Sequence, residues 1–567
     1  MDDANLNFFL GAYENAVFHA LKTMQKGRII KRIWAADYTV WKSKPDSIVN
    51  RLGWLNTPAD TLKQLSYIHK VLAPVIAEGY KNAILLGMGG SSLAAHVFSK
   101  IFGSRVGHPN LHILDTTDPV TISRISRKLN LEETVFIVSS KSGTTLEAVS
   151  LFHYFYNLVL KKLGKRACRN FIIITDPNSP LEEIAYRLSL RHVFLNNPAV
   201  GGRFSALSFT GIVPAALAGV DVESILRNAA AIAKREETEN VNDKLNSSGG
   251  VLGATLGTLA QKGRDKLTFI YPPSWAPFGG WLEQLIAEST GKEGKGILPV
   301  CDESLKCPAA YNNDRLFVIF YTREKTNSSK IAALIKAGHP VITVKLNNKF
   351  QLGGQMFLWE MATATAGHIL GINPFDQPDV EASKVLTRRI IDLYRQKKEL
   401  PQEKAVLMTP DCCVYGCRKT STPDMALTHF LDQATDGTYL CLQVYLTQTP
   451  QTDTVLLKLR EAISKRYRIA VTIGYGPRYL HSTGQLHKGD AGNGLFIQLT
   501  SNNLLDVEIP DQIGTSASAI TFGVLKSAQA LGDRQALIKL DRKIIHFHFD
   551  GNIIANVKAM TVYLQGN

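Results

Sequence analysis

The chain has 567 residues, of which 45% are hydrophobic and 20% are charged, and its formal net charge is +15. This composition is typical of globular proteins, and the length predicts two to four domains rather than one hydrophobic core. The basic residues are scattered and not interleaved with aromatic residues, which argues against a nucleic-acid partner, and no run of about 18 apolar residues suggests a membrane span.

The N-terminal segment, residues 1–70, is predicted to be helical and basic, and we expect it to pack across the first domain. Acidic residues precede its short apolar patch, the wrong order for a secretory signal, so we expect a cytoplasmic protein. The odd number of cysteines, seven, does not suggest a disulfide framework. Cys412, Cys413 and Cys417 lack a fourth ligand at a familiar zinc spacing, so we predict thiols and no metal.

Apolar runs alternate with amphipathic stretches in the predicted first domain, residues 71–235. The runs are NAILLGM (82–88), NLHILDT (110–116), TVFIVSS (134–140), NFIIITD (170–176) and RHVFLN (191–196). Continuous apolar strands are typical of a parallel sheet that is covered on both faces. We therefore predict a doubly wound α/β domain, with ligands at the carboxyl ends of its strands.

A glycine-rich loop, GMGGSS at 87–92, follows the first of these strands and enters a helix. Glycines let a backbone approach a ligand closely, and the free N–H groups at a helix start favour an anion. The loop is neither a dinucleotide fingerprint nor a P-loop. We predict that Gly90 and Ser91 contact an anion; an ordinary tight turn is the alternative.

A hydroxyl-rich loop, SSKSGTTLE at 139–147, follows the strand TVFIVS. Helix capping by a threonine explains one of its hydroxyl groups but not the others. The loop also contains a cation beside the hydroxyls. Two such loops at one edge of a sheet predict a phosphate pocket.

Two later segments contain residues suited to proton transfer. In GGRFS (201–205), Gly202 leaves the backbone unobstructed and Arg203 could approach a ligand, although a surface ion pair is the alternative. In WLEQLIAESTGK (281–292), Gln284 and Glu288 are four residues apart and share a helix face. The Glu288 carboxylate could serve as a base near the helix end, or it could simply be exposed.

Two further α/β regions are predicted after the first domain. The second domain, residues 236–400, and the C-terminal α/β region, residues 401–567, have their own strand-like runs. These are KLTFIYP (266–272), RLFVIFY (315–321), PVITVKL (340–346), YLCLQVYLT (439–447), YRIAVTIGYG (467–476), GLFIQLT (494–500) and KIIHFHFDG (543–551).

Together these motifs resemble the glucose-6-phosphate isomerase family. GMGGSSL, SKSGTTLE, GGRFS, ESTGK and FDQPDVEASK occur in the family's order from residue 87 to 384. The resemblance implies two doubly wound sugar-isomerase (SIS) domains, a phosphohexose substrate, no metal or other cofactor, and usually a homodimer. It also implies that Glu288 is the base of an aldose–ketose isomerisation through a cis-enediol and that Arg203 lies near the reacting carbons. Lys384 matches the family's late lysine, for which we expect a catalytic role, and Gln377 matches its late glutamine, for which we expect a contact with the substrate. The residues that match the family's phosphate-binding group are Ser140, Lys141, Ser142 and Thr145.

The histidine that opens the sugar ring departs from the family pattern. Many members carry it in a Gly-Gln-His stretch before the Phe-Asp-Gln motif, where this chain has only His339 and His368 in unrelated settings. We assign the role to His487, in GQLH after that motif, with His481 as the alternative. A histidine from a neighbouring subunit is a further possibility, because other members use one.

This late position resembles the variant in which the isomerase is fused behind a transaldolase. No barrel of about 250 residues precedes residue 87, so we expect only the isomerase here. A dual phosphoglucose/phosphomannose isomerase remains an alternative, and Thr290, which stands where many members have asparagine, does not decide substrate choice. A non-catalytic phosphosugar-binding regulator would not need Glu288, so ESTGK beside GGRFS favours the enzyme.

Overall fold

The computed structural model describes residues 6–238, 247–322, 328–417 and 419–566. It begins with an N-terminal segment that is helical apart from one short strand. The elements are β1 (Leu6–Phe9), α1 (Glu14–Lys26), α2 (Ile29–Trp34), α3 (Thr57–Lys63) and α4 (Leu65–Ala77). The strand pairs antiparallel with Val341–Lys345 at the edge of the second sheet, so this segment does not pack on the first domain alone.

The first sheet contains every strand predicted for the first domain. Its strands are β2 (Asn82–Leu86), β3 (Asn110–Leu114), β4 (Thr134–Ser139), β5 (Phe171–Thr175) and β6 (His192–Leu195), and its helices are α5 (Leu93–Phe102), α6 (Pro119–Lys128), α7 (Leu146–Leu163), α8 (Pro180–Arg187), α9 (Phe209–Leu217) and α10 (Val222–Thr238). All strands are parallel, in the order β3-β2-β4-β5-β6. The connections diverge between β2 and β4, and the loops after these two strands flank a crevice.

The second sheet is also mainly parallel, in the order β1-β10-β9-β7-β8 with only β1 antiparallel among the described strands. Its further elements are β7 (Lys266–Ile270), β8 (Leu298–Val300), β9 (Arg315–Tyr321), β10 (Val341–Lys345), α11 (Ser248–Gln261), α12 (Phe278–Thr290), α13 (Ser328–Lys336), α14 (Leu352–Leu370) and α15 (Glu381–Lys397). Helix α12 follows β7, which lies between β9 and β8, and its last turn lies beside the first domain, where Ser289 contacts Arg203.

The C-terminal region forms a third sheet. Its elements are β11 (Leu407–Met408), β12 (Cys412–Tyr415), α16 (Pro423–Leu431), β13 (Tyr439–Tyr445), α17 (Pro450–Tyr467), β14 (Ala470–Tyr475), α18 (Gly484–Gly489), β15 (Gly494–Ser501), β16 (Glu508–Ile509), β17 (Ile520–Thr521), α19 (Phe522–Lys539), β18 (Lys543–Phe549) and α20 (Ile553–Gly566). Its parallel part runs β14-β13-β15-β18, the same connection order as β3-β2-β4-β5. The predicted α/β class with doubly wound parallel sheets is confirmed.

Helix α19 links the third sheet to the first domain. Its apolar residues Phe522, Leu525, Ala528 and Leu531 belong to the same buried cluster as Phe152 and Phe171 of the first domain. This packing brings the loops of the third domain to the carboxyl edge of the first sheet.

The structure bears on two possibilities raised by the sequence, a metal site at the cysteine cluster and a membrane-spanning helix. Cys412 and Cys413 are buried in β12 as free thiols, and the described residues contain no group of three or more metal-ligating side chains. Within the same described segments, no helix has both the length and the apolar character that a membrane crossing requires.

Candidate active site

The glycine-rich loop after β2 lies against two other segments of the site. Gly89 has φ +53°, a left-handed conformation that favours glycine. A Cβ atom on Gly90 would lie 2.1 Å from the carbonyl oxygen of Gly202, so a larger residue would push the loop away from the GGRFS turn. The two glycines thus let this loop, with the partly buried Ser91, approach the turn that carries Arg203.

The loop after β4 groups its hydroxyls at the same edge. Ser140 donates a hydrogen bond from Oγ to Thr145 Oγ1 at 3.0 Å, and Ser142 Oγ lies 2.9 Å from Thr144 Oγ1. Ser142 and Thr144 are exposed, whereas Ser140 is buried. These hydroxyls and the adjacent glycine loop form the surface at which a phosphate is predicted.

The Lys141 ammonium is held at one side of this loop. It forms an ion pair with Asp176 and donates a hydrogen bond to the carbonyl oxygen of Pro198 at 3.0 Å. Burial raises the pKa of Asp176, and Lys141 opposes that shift. The positive charge of the loop is therefore partly neutralised in the described conformation.

Arg203 is buried at the centre of the site. Its guanidinium donates hydrogen bonds to Ser289 Oγ at 2.7 Å, to the Pro374 carbonyl oxygen at 2.7 Å and to the Asp376 carbonyl oxygen at 2.8 Å. One of its terminal nitrogens lies 3.6 Å from Glu288 Oε1. These contacts fix the cation beside the predicted base.

A second cation and a glutamine surround this pair. Gln377 Oε1 accepts a hydrogen bond from Arg203 at 3.0 Å. Lys292 forms an ion pair with Asp376 at 2.8 Å and is nearly inaccessible to solvent. Burial, together with the nearby Arg203, lowers the pKa of Lys292 to about 8. This end of the site therefore contains two cations, Arg203 and Lys292, and two carboxylates, Glu288 and Asp376.

Helix α12 presents Gln284 and Glu288 on one face, as their spacing predicts. Gln284 Nε2 donates to Glu288 Oε2 at 3.1 Å and to the carbonyl oxygen of His481 at 2.7 Å. Gln284 is buried, with 3% of its surface exposed. Its amide therefore joins the predicted base to a turn of the third domain.

His481 lies in this turn and contacts the first domain. Its Nε2 is 3.0 Å from Glu147 Oε1, and a Cβ atom on Gly89 would lie 2.9 Å from the Cβ of His481. Burial alone would raise the pKa of Glu147, but the charge of His481 and their hydrogen bond hold that pKa below its usual value. The site therefore contains a buried carboxylate–histidine pair next to the phosphate loop.

Comparisons with known proteins identify the family of this chain. Residues 73–296 match the family model described as phosphoglucose isomerase. A curated glucose-6-phosphate isomerase from Rubrobacter xylanophilus is 30% identical over 387 residues, which cover 59% of this chain and 88% of the relative. The chain belongs to the phosphoglucose isomerase family.

Other members of the phosphoglucose isomerase family and two solved structures are also similar. The relative from Carboxydothermus hydrogenoformans is 27% identical, covering 66% of this chain and 93% of the relative. A glucose-6-phosphate isomerase structure from Chlamydia trachomatis has a TM-score of 0.58 at 16% identity, covering 70% of this chain and 89% of its own. A hypothetical protein of Thermus thermophilus has a TM-score of 0.57 at 24% identity, covering 68% of this chain and 99% of its own. These two likenesses concern the fold.

The structure separates the residues that the family motifs single out into two groups. Gln284, Glu288, Arg203 and Gln377 form one cluster, in which an ion pair between Arg203 and Glu288 joins two hydrogen-bonded pairs. Lys384 lies apart from it, at the start of α15, where its ammonium donates to Glu381 at 3.2 Å. The positive charge of Lys384 also helps, together with the larger effect of His481, to lower the pKa of Glu147.

His487, our first choice for ring opening, lies in the interior of the third domain. It is completely buried, and its ring is packed among those of Tyr439, Tyr479 and Phe496. Neither ring nitrogen has a hydrogen-bond partner among the described residues. Burial lowers its pKa to about 3, which keeps the ring neutral. The geometry therefore favours the alternative, His481, which contacts both the phosphate loop and Gln284.

Sequence reasoning did not single out three residues at this site. Glu147 ends the SKSGTTLE motif, and a carboxylate at a predicted ligand edge was a usable signal. Lys292 belongs to ESTGK, but its ion pair with Asp376 required the fold. Ser289, the residue after Glu288, contacts Arg203, and no sequence pattern indicated that contact.

Proposed function

We propose that this chain is a glucose-6-phosphate isomerase, which interconverts glucose 6-phosphate and fructose 6-phosphate. The Glu288–Arg203 pair carries this proposal: a carboxylate lies 3.6 Å from a buried guanidinium, beside the edge where two predicted phosphate loops meet. A carboxylate can move a proton while the adjacent cation stabilises the negative charge on the reacting oxygens. Relatives named glucose-6-phosphate isomerase support the same activity.

The phosphate of the substrate would bind at the carboxyl edge of the first sheet. The loop after β2 offers backbone N–H groups and Ser91, and the loop after β4 offers Ser140, Ser142 and Thr145. The Lys141 ammonium is paired with Asp176, and it would give up part of this contact in order to bind the phosphate. Binding energy at this remote group orients the reacting carbons.

Glu288 would then transfer the proton between C2 and C1. It removes the C2 proton of open-chain glucose 6-phosphate, the C1=C2 double bond forms, and the electron pair of the C1 carbonyl moves to O1 as an oxyanion. The O2 proton passes to O1 through the cis-enediol, and Glu288 returns its proton to C1, which leaves the C2 carbonyl of fructose 6-phosphate. Arg203 is placed to stabilise the developing oxyanions, and Gln284 restrains the carboxylate of Glu288.

His481 would open the cyclic substrate. A ring-opening group must give a proton to the ring oxygen and accept one from the anomeric hydroxyl, and histidine does both near neutral pH. Its Nε2 is held by Glu147, which leaves Nδ1 to exchange protons with the substrate. Because His481 and Glu147 belong to one chain, this proposal needs no histidine from a partner.

The test compares wild type with Glu288→Gln in the conversion of fructose 6-phosphate to glucose 6-phosphate, coupled to a dehydrogenase in the presence of EDTA. Loss of the base should reduce kcat by about 10²–10⁴-fold, because general-base catalysis typically contributes that much. Phosphosugar binding should remain, since the phosphate loops are untouched.

Glu293→Gln is the matched control, because Glu293 is an exposed glutamate in the following turn, paired with Lys42. It should retain wild-type activity. Tight phosphosugar binding by the wild type without turnover would contradict the proposal and identify a regulator instead. Full activity of Glu288→Gln would remove Glu288 from its role.

A further inference from the structure

Helix α19 presents a row of buried polar side chains to the histidine end of the site. Lys526, Gln529 and Asp533 are 4%, 3% and 0% exposed, and their spacing of three and four residues puts them on one helix face. Buried polar groups are costly unless they are paired, so each should have a defined partner. Their partners lie in or beside the elements that hold His481.

Gln529 contacts the carboxylate–histidine pair directly. Its Nε2 donates to Glu147 Oε1 at 2.7 Å, and its Oε1 accepts from Thr117 Oγ1 at 2.9 Å. The same Glu147 oxygen lies 3.0 Å from His481 Nε2. Because the amide is fixed at both ends, it determines the direction in which the Glu147 carboxylate faces.

The other two side chains hold the surroundings of the histidine turn. Lys526 forms an ion pair with Asp118 of the first domain at 3.0 Å. Asp533 pairs with Lys488 at 2.6 Å and accepts a hydrogen bond from Tyr479 Oη at 2.7 Å. Tyr479 and Lys488 lie on either side of His481 in the chain, so α19 restrains the turn from both directions.

We propose that Gln529 is a positioning residue for the ring-opening step. It orients Glu147, which in turn orients His481 towards the cyclic sugar. This inference rests on the proposed function, since it assigns Gln529 to one step of that reaction. The hydrogen bonds of the Gln529 amide go to Glu147 and Thr117 and not to Glu288 or Arg203, so we expect proton transfer between C1 and C2 to be independent of it.

The experiment uses one substrate that must be opened and one that is already open. Fructose 6-phosphate closes its furanose ring through the C5 hydroxyl, and 5-deoxyfructose 6-phosphate lacks that hydroxyl and remains open. Exchange of the C1 protons with D₂O, followed by ¹H NMR, measures the Glu288 step on both substrates. The full-length chain is used for every variant.

Gln529→Met keeps the length of the side chain but removes both hydrogen bonds. We expect kcat on fructose 6-phosphate to fall by about 10–100-fold, because a small misplacement of a catalytic group has this cost. Exchange on the open-chain analogue should remain within about twofold of wild type, and KM should change little. Thr117→Val, which removes only the far hydrogen bond, should give a smaller loss with the same substrate selectivity.

Gln443→Met is the matched control, because Gln443 is a fully buried glutamine of the third sheet whose amide has no partner among the described residues. It should leave both rates unchanged. An equal loss on both substrates in Gln529→Met and Thr117→Val would mean a merely structural role, and no loss on fructose 6-phosphate would mean no role. Either result overturns the proposal, whereas a wild type that exchanges neither substrate overturns the proposed function itself.

Discussion

The two ends of the candidate site are assembled from different parts of the chain. The base end consists of Arg203 from the first domain and Gln284 and Glu288 from the second, all within the motif-bearing stretch of residues 87–384. The histidine end joins Glu147 of the first domain to His481 of the third. The residues proposed for proton transfer between carbons therefore lie in recognisable sequence motifs. The residues proposed for ring opening come together only when distant parts of the chain pack.

The charged groups at the two ends also differ, and each set suits a different step of the reaction. At the base end, Arg203 lies beside Glu288 and Lys292 lies beside Asp376, and these two buried cations suit an intermediate with negative charge on its oxygens. At the histidine end, the buried Glu147 stays ionised, which suits a histidine that becomes protonated during ring opening. Each end is therefore charged to stabilise the species that its own step would create.

The largest expected effect distinguishes the two histidines of the third domain. His481→Gln should lose about 10²–10⁴-fold in kcat on fructose 6-phosphate, because it removes the general acid/base of ring opening. His487→Phe should keep kcat within about twofold, because a neutral, fully buried ring surrounded by aromatic rings is replaced by another apolar ring.

Steady-state rates in the coupled assay, near neutral pH, check both variants. Thermal unfolding of each variant separates a loss of activity from a loss of fold. If His487→Phe lost activity while His481→Gln retained it, the histidine end would have to be assigned to His487.

Most of the fold and the base end followed from local sequence patterns. The apolar runs predicted the long parallel strands, and a spacing of four residues placed Gln284 and Glu288 on one face. The histidine end could not be predicted in this way, because Glu147, His481 and Gln529 lie far apart in the sequence and meet only after the domains pack. The strand β1 was missed because its four residues, LNFF, show no clear alternation.

A smaller effect concerns Glu283, which lies on the same helix as Glu288 but faces the third domain, where its Oε1 accepts a hydrogen bond from Ser482 at 3.2 Å. Burial raises the pKa of Glu283 from 4.5 to about 7. The folded state therefore keeps a proton that the unfolded state loses between these pH values. Its contribution to the free energy of unfolding is present at low pH and falls as the pH rises through this window.

Glu283→Gln should remove this titration. Relative to wild type, the variant should gain about 2 kcal/mol in free energy of unfolding between pH 5 and pH 8, somewhat less than the full shift implies because Glu283 is partly exposed. Urea unfolding at the two pH values measures the difference. A constant difference would show that Glu283 titrates normally, and that the contact between α12 and the third domain is more hydrated than its geometry indicates.

The smallest expected effect is an absence of change on dilution. The family resemblance implies a homodimer, yet His481, Glu147, Glu288 and Arg203 of one chain already lie at one site. Specific activity should therefore stay within about twofold when the protein is diluted below the concentration at which any oligomer dissociates, as measured by sedimentation on the same samples.

Mixing two inactive variants gives the sharper form of this test. If a partner subunit supplied the histidine, mixed dimers of Glu288→Gln and His481→Gln would contain one site with neither substitution, and activity would return. If each chain completes its own site, every site in the mixture still lacks one of the two groups, and activity stays absent. We expect no recovery, because His481 is held by Gln284 and Glu147 of its own chain, and exchanging it for a partner's histidine would break both contacts.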